Sequence, residues 1–145
     1  MKSELGDKEG GITDYNEAIR LNPNYADAYY NRGITKSELG DKQGAIADYN
    51  EAIRLNPNFA EAHYGRGAVN SELGDKEGAI ADYNEAIRLN PNYADAYYNR
   101  AILYKQLGEK QKALADYRES ARIYQQQGKI TDYEDAQNKI RELGG

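Results

Sequence analysis

The three prolines of this chain stand at positions 23, 57 and 91, and the steps 57 − 23 and 91 − 57 are both 34 residues. Around each proline the same string recurs, DYNEAIRLNPN, at Asp14–Asn24, Asp48–Asn58 and Asp82–Asn92. Ser3–Arg32 and Ser71–Arg100, two periods apart, differ only at Gly11/Ala79 and Thr13/Ala81. A chain that repeats at this spacing is a stack of small units, each burying its apolar face on the next, and the period is that of a helical solenoid. Recent duplication and deliberate design would each leave such similarity; a designed repeat would have no evolved partner.

Within one unit the residues specify two helices. The first is expected at about Ala26–Leu39, ended by Gly40, which suits the left-handed residue after a helix. Asp41 follows as an acceptor for the free N–H groups of the second helix, about Lys42–Leu55. That helix carries an apolar stripe of Ala45, Tyr49, Ala52 and Ile53, at i, i+4, i+7 and i+8. Asn56-Pro57-Asn58 then stops it, because proline cannot continue the hydrogen-bond ladder. The same grammar returns at Gly74-Asp75 and Asn90-Pro91-Asn92.

On these residues the chain resembles the tetratricopeptide-repeat (TPR) family, in a tyrosine-rich style similar to cyanobacterial repeat proteins. Counted from Ala26, the family's small and large positions fall on Gly33, Ala45, Tyr49, Ala52 and Pro57. The next unit offers Gly67, Ala79, Tyr83, Ala86 and Pro91, and the third Ala101, Ala113, Tyr117 and Ser120, with Gln125 in place of proline. The resemblance implies an all-α fold, a right-handed superhelix of antiparallel helix pairs. It divides the chain into a partial first repeat (1–25, mainly its second helix, about Lys8–Leu21), units 26–59, 60–93 and 94–127, and a capping helix in 128–145. Met1–Ser3 align with the middle of a first helix, so the start reads as cut, and Asp14 is expected to have no arginine partner. The cap is expected to bury Ile130, Tyr133, Ala136, Ile140 and Leu143. At the eleventh place, where the family prefers an aromatic, stand Lys36, Asn70 and Tyr104, which implies looser packing in the first two pairs. Arg32, Arg66 and Arg100 are expected to pair with Asp48, Asp82 and Asp116 inside each unit.

Composition narrows the function. The net charge is −5, and phosphate binding needs a basic stripe, so nucleic acid is a poor partner. No apolar run is long enough to span a membrane. With no cysteine, disulfides and thiolate metal sites are excluded and the compartment stays open. The single histidine, His63, fills a tyrosine place and reads as a packing residue. No nucleophile–base pair, calcium loop or phosphate loop is present, so no enzyme, cofactor or metal is expected.

What remains is interaction. The resemblance implies that the first helix of each unit lines a concave groove. Its inward places hold Asp27, Glu61 and Asp95; Tyr30, Tyr64 and Tyr98; Asn31, Gly65 and Asn99; and Ile34, Ala68 and Ile102. The twelfth and thirteenth places, also inward, hold Ser37, Glu38, Ser71, Glu72, Lys105 and Gln106. A tyrosine and asparagine groove with an acidic margin suits a basic extended peptide or helix, although the tyrosines could instead serve only helix packing. Family members that clamp chaperone tails use lysine, arginine and asparagine where this chain has Tyr30, Ile34, Gly65, Asp95 and Asn99, so such tails are not expected to bind. The competing expectation is self-association into a homodimer through Ile12, Tyr15 and Ile19 on the uncovered first helix.

Overall fold

The computed structural model describes residues 4–145, and among them eight helices and no strand occur. They are α1 (Glu4–Leu21), α2 (Ala26–Glu38), α3 (Lys42–Leu55), α4 (Ala60–Glu72), α5 (Lys76–Leu89), α6 (Ala94–Gln106), α7 (Lys110–Gln126) and α8 (Ile130–Glu142). Each helix packs on the next in the chain. In addition α2 touches α4 and α4 touches α6, while no comparable contact joins α3 to α5 or α5 to α7. The first helices of the units therefore lie closer together than the second helices, and the stack curves with α2, α4 and α6 on its inner side.

The expected punctuation is present. Gly40, Gly74 and Gly108 take φ of +88°, +85° and +79°, the left-handed conformation that ends each first helix. Asp41 and Asp75 accept from the backbone N–H of Gly44 and Gly78, both at 3.0 Å. Asparagine side chains order the proline turns: the N–H groups of Asn58 and Asn92 donate to Asn56 and Asn90. Lacking proline at Gln125, α7 runs on to Gln126 and spans 17 residues, against 14 for α3 and α5.

Two expectations need correction. Gly6-Asp7 matches the Gly40-Asp41 turn in sequence but is helical, and α1 begins at Glu4 rather than near Lys8. The alignment of Met1–Ser3 with a first helix lies outside the described residues. In the cap, Ala136 and Ile140 are buried and Tyr133 and Leu143 half-buried, but Ile130 is exposed. It is the first residue of α8, on the rim of the stack rather than over α7.

The core repeats with the sequence. Tyr49, Tyr83 and Tyr117 are buried, each against the first helix of its own unit. A Cβ built on Gly33 would lie 2.9 Å from the Tyr49 ring, and one on Gly67 2.9 Å from the Tyr83 ring. Tyr49 also reaches the following unit, where a Cβ on Gly65 would lie 2.8 Å from its ring. In these units the ring occupies the space of a side chain, so a Cβ there would force it to shift, whereas the last unit accommodates Ala101 beside Tyr117.

The arginines pair as the family resemblance implied, and do more. Arg32 donates through Nε and Nη2 to Asp48 at 2.8 and 2.6 Å, and Arg100 to Asp116 at 2.7 Å through both. Arg66 forks onto Asp82 in the same way, with Nη2 at 2.7 Å. The remaining Nη1 reaches back to the preceding unit, where Asn16, Asn50 and Asn84 accept at 2.8, 2.9 and 2.8 Å. One guanidinium thus joins three helices. The eleventh place tightens this cluster rather than loosening it. Lys36 Nζ lies 3.2 Å from Asp48, Asn70 donates to Asp82 at 3.1 Å, and Arg100 stacks on the Tyr104 ring at 5.6 Å. Asp14, with no arginine in reach, is exposed.

Two outcomes follow from this packing. Arg66→Ala leaves the Asp82 carboxylate, 7% exposed, without its partner, and unfolding in denaturant should show a loss of about 3 kcal/mol. Arg88→Ala, which removes an exposed pair with Glu85, should cost less than about 1 kcal/mol. The second outcome concerns pH. Burial pushes the Tyr64 and Tyr117 hydroxyls up to about 12 from an ordinary 10.0, and raises Tyr49, Tyr83, Tyr93 and Tyr124 as well. Above the ordinary value the unfolded chain gives up these protons while the folded chain holds them, so stability falls as pH rises. Melting temperature should drop from pH 10 to 12, with tyrosinate absorbance appearing on unfolding; a melting temperature unchanged across that range would contradict the burial.

Candidate functional site

The inner side of the stack is built from α2, α4 and α6, and the expected groove residues all lie on these helices. Asp27, Glu61 and Asp95 are exposed. Tyr30, Tyr64, Tyr98, Asn31, Asn99, Ile34, Ala68 and Ile102 are half-buried. The tyrosines do double duty. Tyr30 packs on Tyr49 at 6.0 Å between ring centroids and on Phe59 at 4.8 Å. Tyr64 repeats this on Tyr83 at 5.7 Å and Tyr93 at 4.9 Å. Tyr98 meets Tyr117 at 5.4 Å, nearly edge-on at 73°. Each tyrosine packs between helices while remaining half-buried on the inner side.

The asparagine ladder is uneven. Asn99 donates from Nδ2 to the Tyr64 hydroxyl at 2.7 Å, tying α6 to α4. Asn31 has no side-chain partner among the described residues. Gly65 stands where the sister units carry asparagine, because the Tyr49 ring lies against it. The acidic margin is uneven too: Asp95 accepts from the Tyr124 hydroxyl, whereas Asp27 and Glu61 make no ion pair among the described residues. Lower on the same face, Lys42 pairs with Glu72, and Lys8 lies 3.2 Å from Glu38.

Between α4 and α6 the face dips into an open cleft of about 200 Å³, lined by Ala68, Ser71, Glu72, Tyr83, Asn99 and Ile102. Sequence reasoning placed Ala68, Ser71, Glu72, Asn99 and Ile102 on this face but missed Tyr83, assigned wholly to the core. The signal was available: among the expected inward places, Gly65 and Ala68 are the two where the middle unit is smaller than both neighbours. The asparagine acceptors at Asn16, Asn50 and Asn84 were missed as well, though each stands 16 residues before its arginine.

The other candidates behave as packing residues or rim. His63 is buried, with Nε2 3.2 Å from the Pro57 carbonyl oxygen. On α1, Ile12, Tyr15 and Ile19 share a half-buried face, and Leu5 and Leu21 are exposed. No residue of α1 is fully buried, whereas its sequence twin α5 buries Ala79, Asp82, Tyr83 and Ala86. Among the described residues no group of histidine and carboxylate side chains is arranged to hold a metal ion. Nor is any described helix long and apolar enough to cross a membrane.

Comparison with known proteins agrees with this architecture. No curated protein sequence matches the chain. Among solved structures, the crystal structure of MamA superposes with a TM-score of 0.75 at 27% identity, over 96% of this chain and 90% of that one. A MamA RS-1 ArsTM double mutant gives 0.73 at 21% identity, over 96% and 86%. The first TPR of Spaghetti (RPAP3), bound to the HSP90 peptide SRMEEVD, gives 0.74 at 22% identity, over 82% and 90%; this last pair shares the fold. Sequence models of the TPR repeat match residues 3–40, 37–74 and 71–108, and that of the tetratricopeptide repeat matches 94–127. With matches running almost end to end, the chain belongs to the tetratricopeptide-repeat family, an all-α scaffold of the kind that serves protein–protein interaction.

Proposed function

We propose that this protein is a non-enzymatic scaffold whose inner face, formed by α2, α4 and α6, receives an extended peptide or a helix of basic character. The observation that carries the reading is the side-by-side approach of three helices bearing Tyr30, Tyr64 and Tyr98 on one open face. Half-buried tyrosines supply rigid contact area with a polar tip. Asn31 offers both donor and acceptor to a peptide backbone. Asp27 and Glu61, exposed and unpaired among the described residues, favour a cationic partner through its approach rate more than its final affinity.

The peptide on the Spaghetti structure, SRMEEVD, is acidic at its end. At the places a carboxylate clamp needs, this chain has Tyr30, Ile34, Gly65, Asp95 and Asn99, none of them a cation. An acidic tail would meet Asp95 there, so the partner differs from that chaperone tail.

A second reading, pairing of two copies through α1, is favoured by one observation: α1 has no fully buried residue, and Ile12, Tyr15 and Ile19 share its half-covered face. A two-fold contact would bury this face against itself. Sedimentation should then show a dimer that Tyr15→Glu converts to monomer with unchanged helicity; a wild-type chain that stays monomeric would dismiss this reading.

The principal reading is tested by selecting random linear peptides on immobilised protein. Recovered peptides should be basic, and an Asp27→Lys/Glu61→Lys variant should bind them several-fold more slowly with a weaker salt dependence. SRMEEVD should show no saturable binding. Micromolar affinity for that peptide, or recovered peptides indifferent to both charge reversals, would contradict the proposal.

A further inference from the structure

The middle of the inner face differs from its neighbours in a way that points to one kind of side chain. Resting on the groove reading above, we propose that the cleft between α4 and α6 is an anchor pocket for a single basic side chain with a long aliphatic stem, lysine or arginine, of the bound partner.

The cleft exists because Ala68 stands where Ile34 and Ile102 occupy the sister units. One period earlier the matching place carries Ile34. One period later Ile102 is followed by Lys105 and Gln106 instead of Ser71 and Glu72, which puts a cation where the middle unit has serine and an amide where it has a carboxylate. Only the middle unit pairs alanine at this place with a glutamate four residues on. At about 200 Å³ the space is below the ordinary range of small-molecule sites and suits one side chain.

Its walls sort by chemistry. Ala68, Ile102 and the Tyr83 ring form an apolar channel. Its polar groups are the Ser71 and Tyr83 hydroxyls, the Glu72 carboxylate and the Asn99 amide. Glu72 uses Oε2 for Lys42 and leaves Oε1. Asn99 donates its amide nitrogen to Tyr64 and leaves Oδ1. No cationic side chain lines the cleft. Tyr83 also lines the cleft, and its hydroxyl makes no hydrogen bond to another described residue, which leaves it open to a group entering the cleft. An ammonium or guanidinium entering along Ile102 would meet it, together with Glu72 Oε1 and Asn99 Oδ1, while its methylene stem covers Ala68.

The experiment uses peptides selected from a random linear library on the wild-type chain. Recovered peptides should share one lysine or arginine. Replacing that residue by alanine, or Ala68→Ile in the protein, should each weaken binding roughly tenfold or more, as loss of an anchor does. The two changes together should cost no more than either alone, since both empty the same pocket. Glu72→Gln should weaken binding, whereas Lys42→Gln, which breaks the same ion pair but keeps the carboxylate, should not. Ala68→Ile places in the middle unit the residue its neighbours already carry, and an unchanged melting temperature will verify folding. Peptides without a shared basic residue, or a lysine whose replacement costs as much in Ala68→Ile as in wild type, would overturn the pocket and leave the groove standing. Recovery of no binding peptide would overturn both.

Discussion

The stack depends on a tyrosine ring seated against a helix that has no side chain at the point of contact. Tyr49 fills the notch at Gly33 in its own unit and lies against Gly65 in the next, so one ring holds a helix pair together and joins it to its neighbour. Tyr83 repeats the first of these contacts at Gly67. Burying a large ring contributes roughly 1.5–3 kcal/mol, and here each contribution serves two interfaces or nearly so. A leucine at Gly67 would have to displace the ring, at a cost of about 1–3 kcal/mol or more. Around this apolar joint the Asn–Arg–Asp clusters work as a polar counterpart on the second helices, linking each unit to the one before it.

These joints also shape the inner face. Tyr30, Tyr64 and Tyr98 pack on the rings of Tyr49, Tyr83 and Tyr117. Tyr49 lies against Gly65, and Tyr83 lines the cleft beside Ala68. Small residues on α4 thus set both how closely the helices pack and where the inner face is recessed.

Much of this was legible in the sequence because the unit is repeated. The turn residues Gly40, Asp41 and Pro57 recur with their spacing intact, and the helix bounds follow from them. The Arg–Asp pairs could be anticipated from the family resemblance, which sets the seventh and twenty-third places of a unit face to face. What could not be read were features that depend on three-dimensional neighbours rather than on local pattern. Gly6-Asp7 has the letters of the Gly40-Asp41 turn yet lies within α1. Lys36 and Asn70 break the aromatic rule at the eleventh place, yet each finds the carboxylate already held by arginine. Tyr83 was legible as core from its period, but its hydroxyl facing a cleft depends on the absence of an isoleucine at Ala68, one helix away.

The claim on which the functional account stands is that the inner face of α2, α4 and α6 is where a partner lies. Backbone amide NMR of the isotope-labelled chain, titrated with a selected peptide, tests it most directly. The account predicts saturable shifts concentrated at Asn31, Ile34, Tyr64, Ala68, Asn99 and Ile102, with α3, α5 and α7 affected only where they touch those helices. Shifts centred on α1 or α8, with the inner face silent, would contradict it.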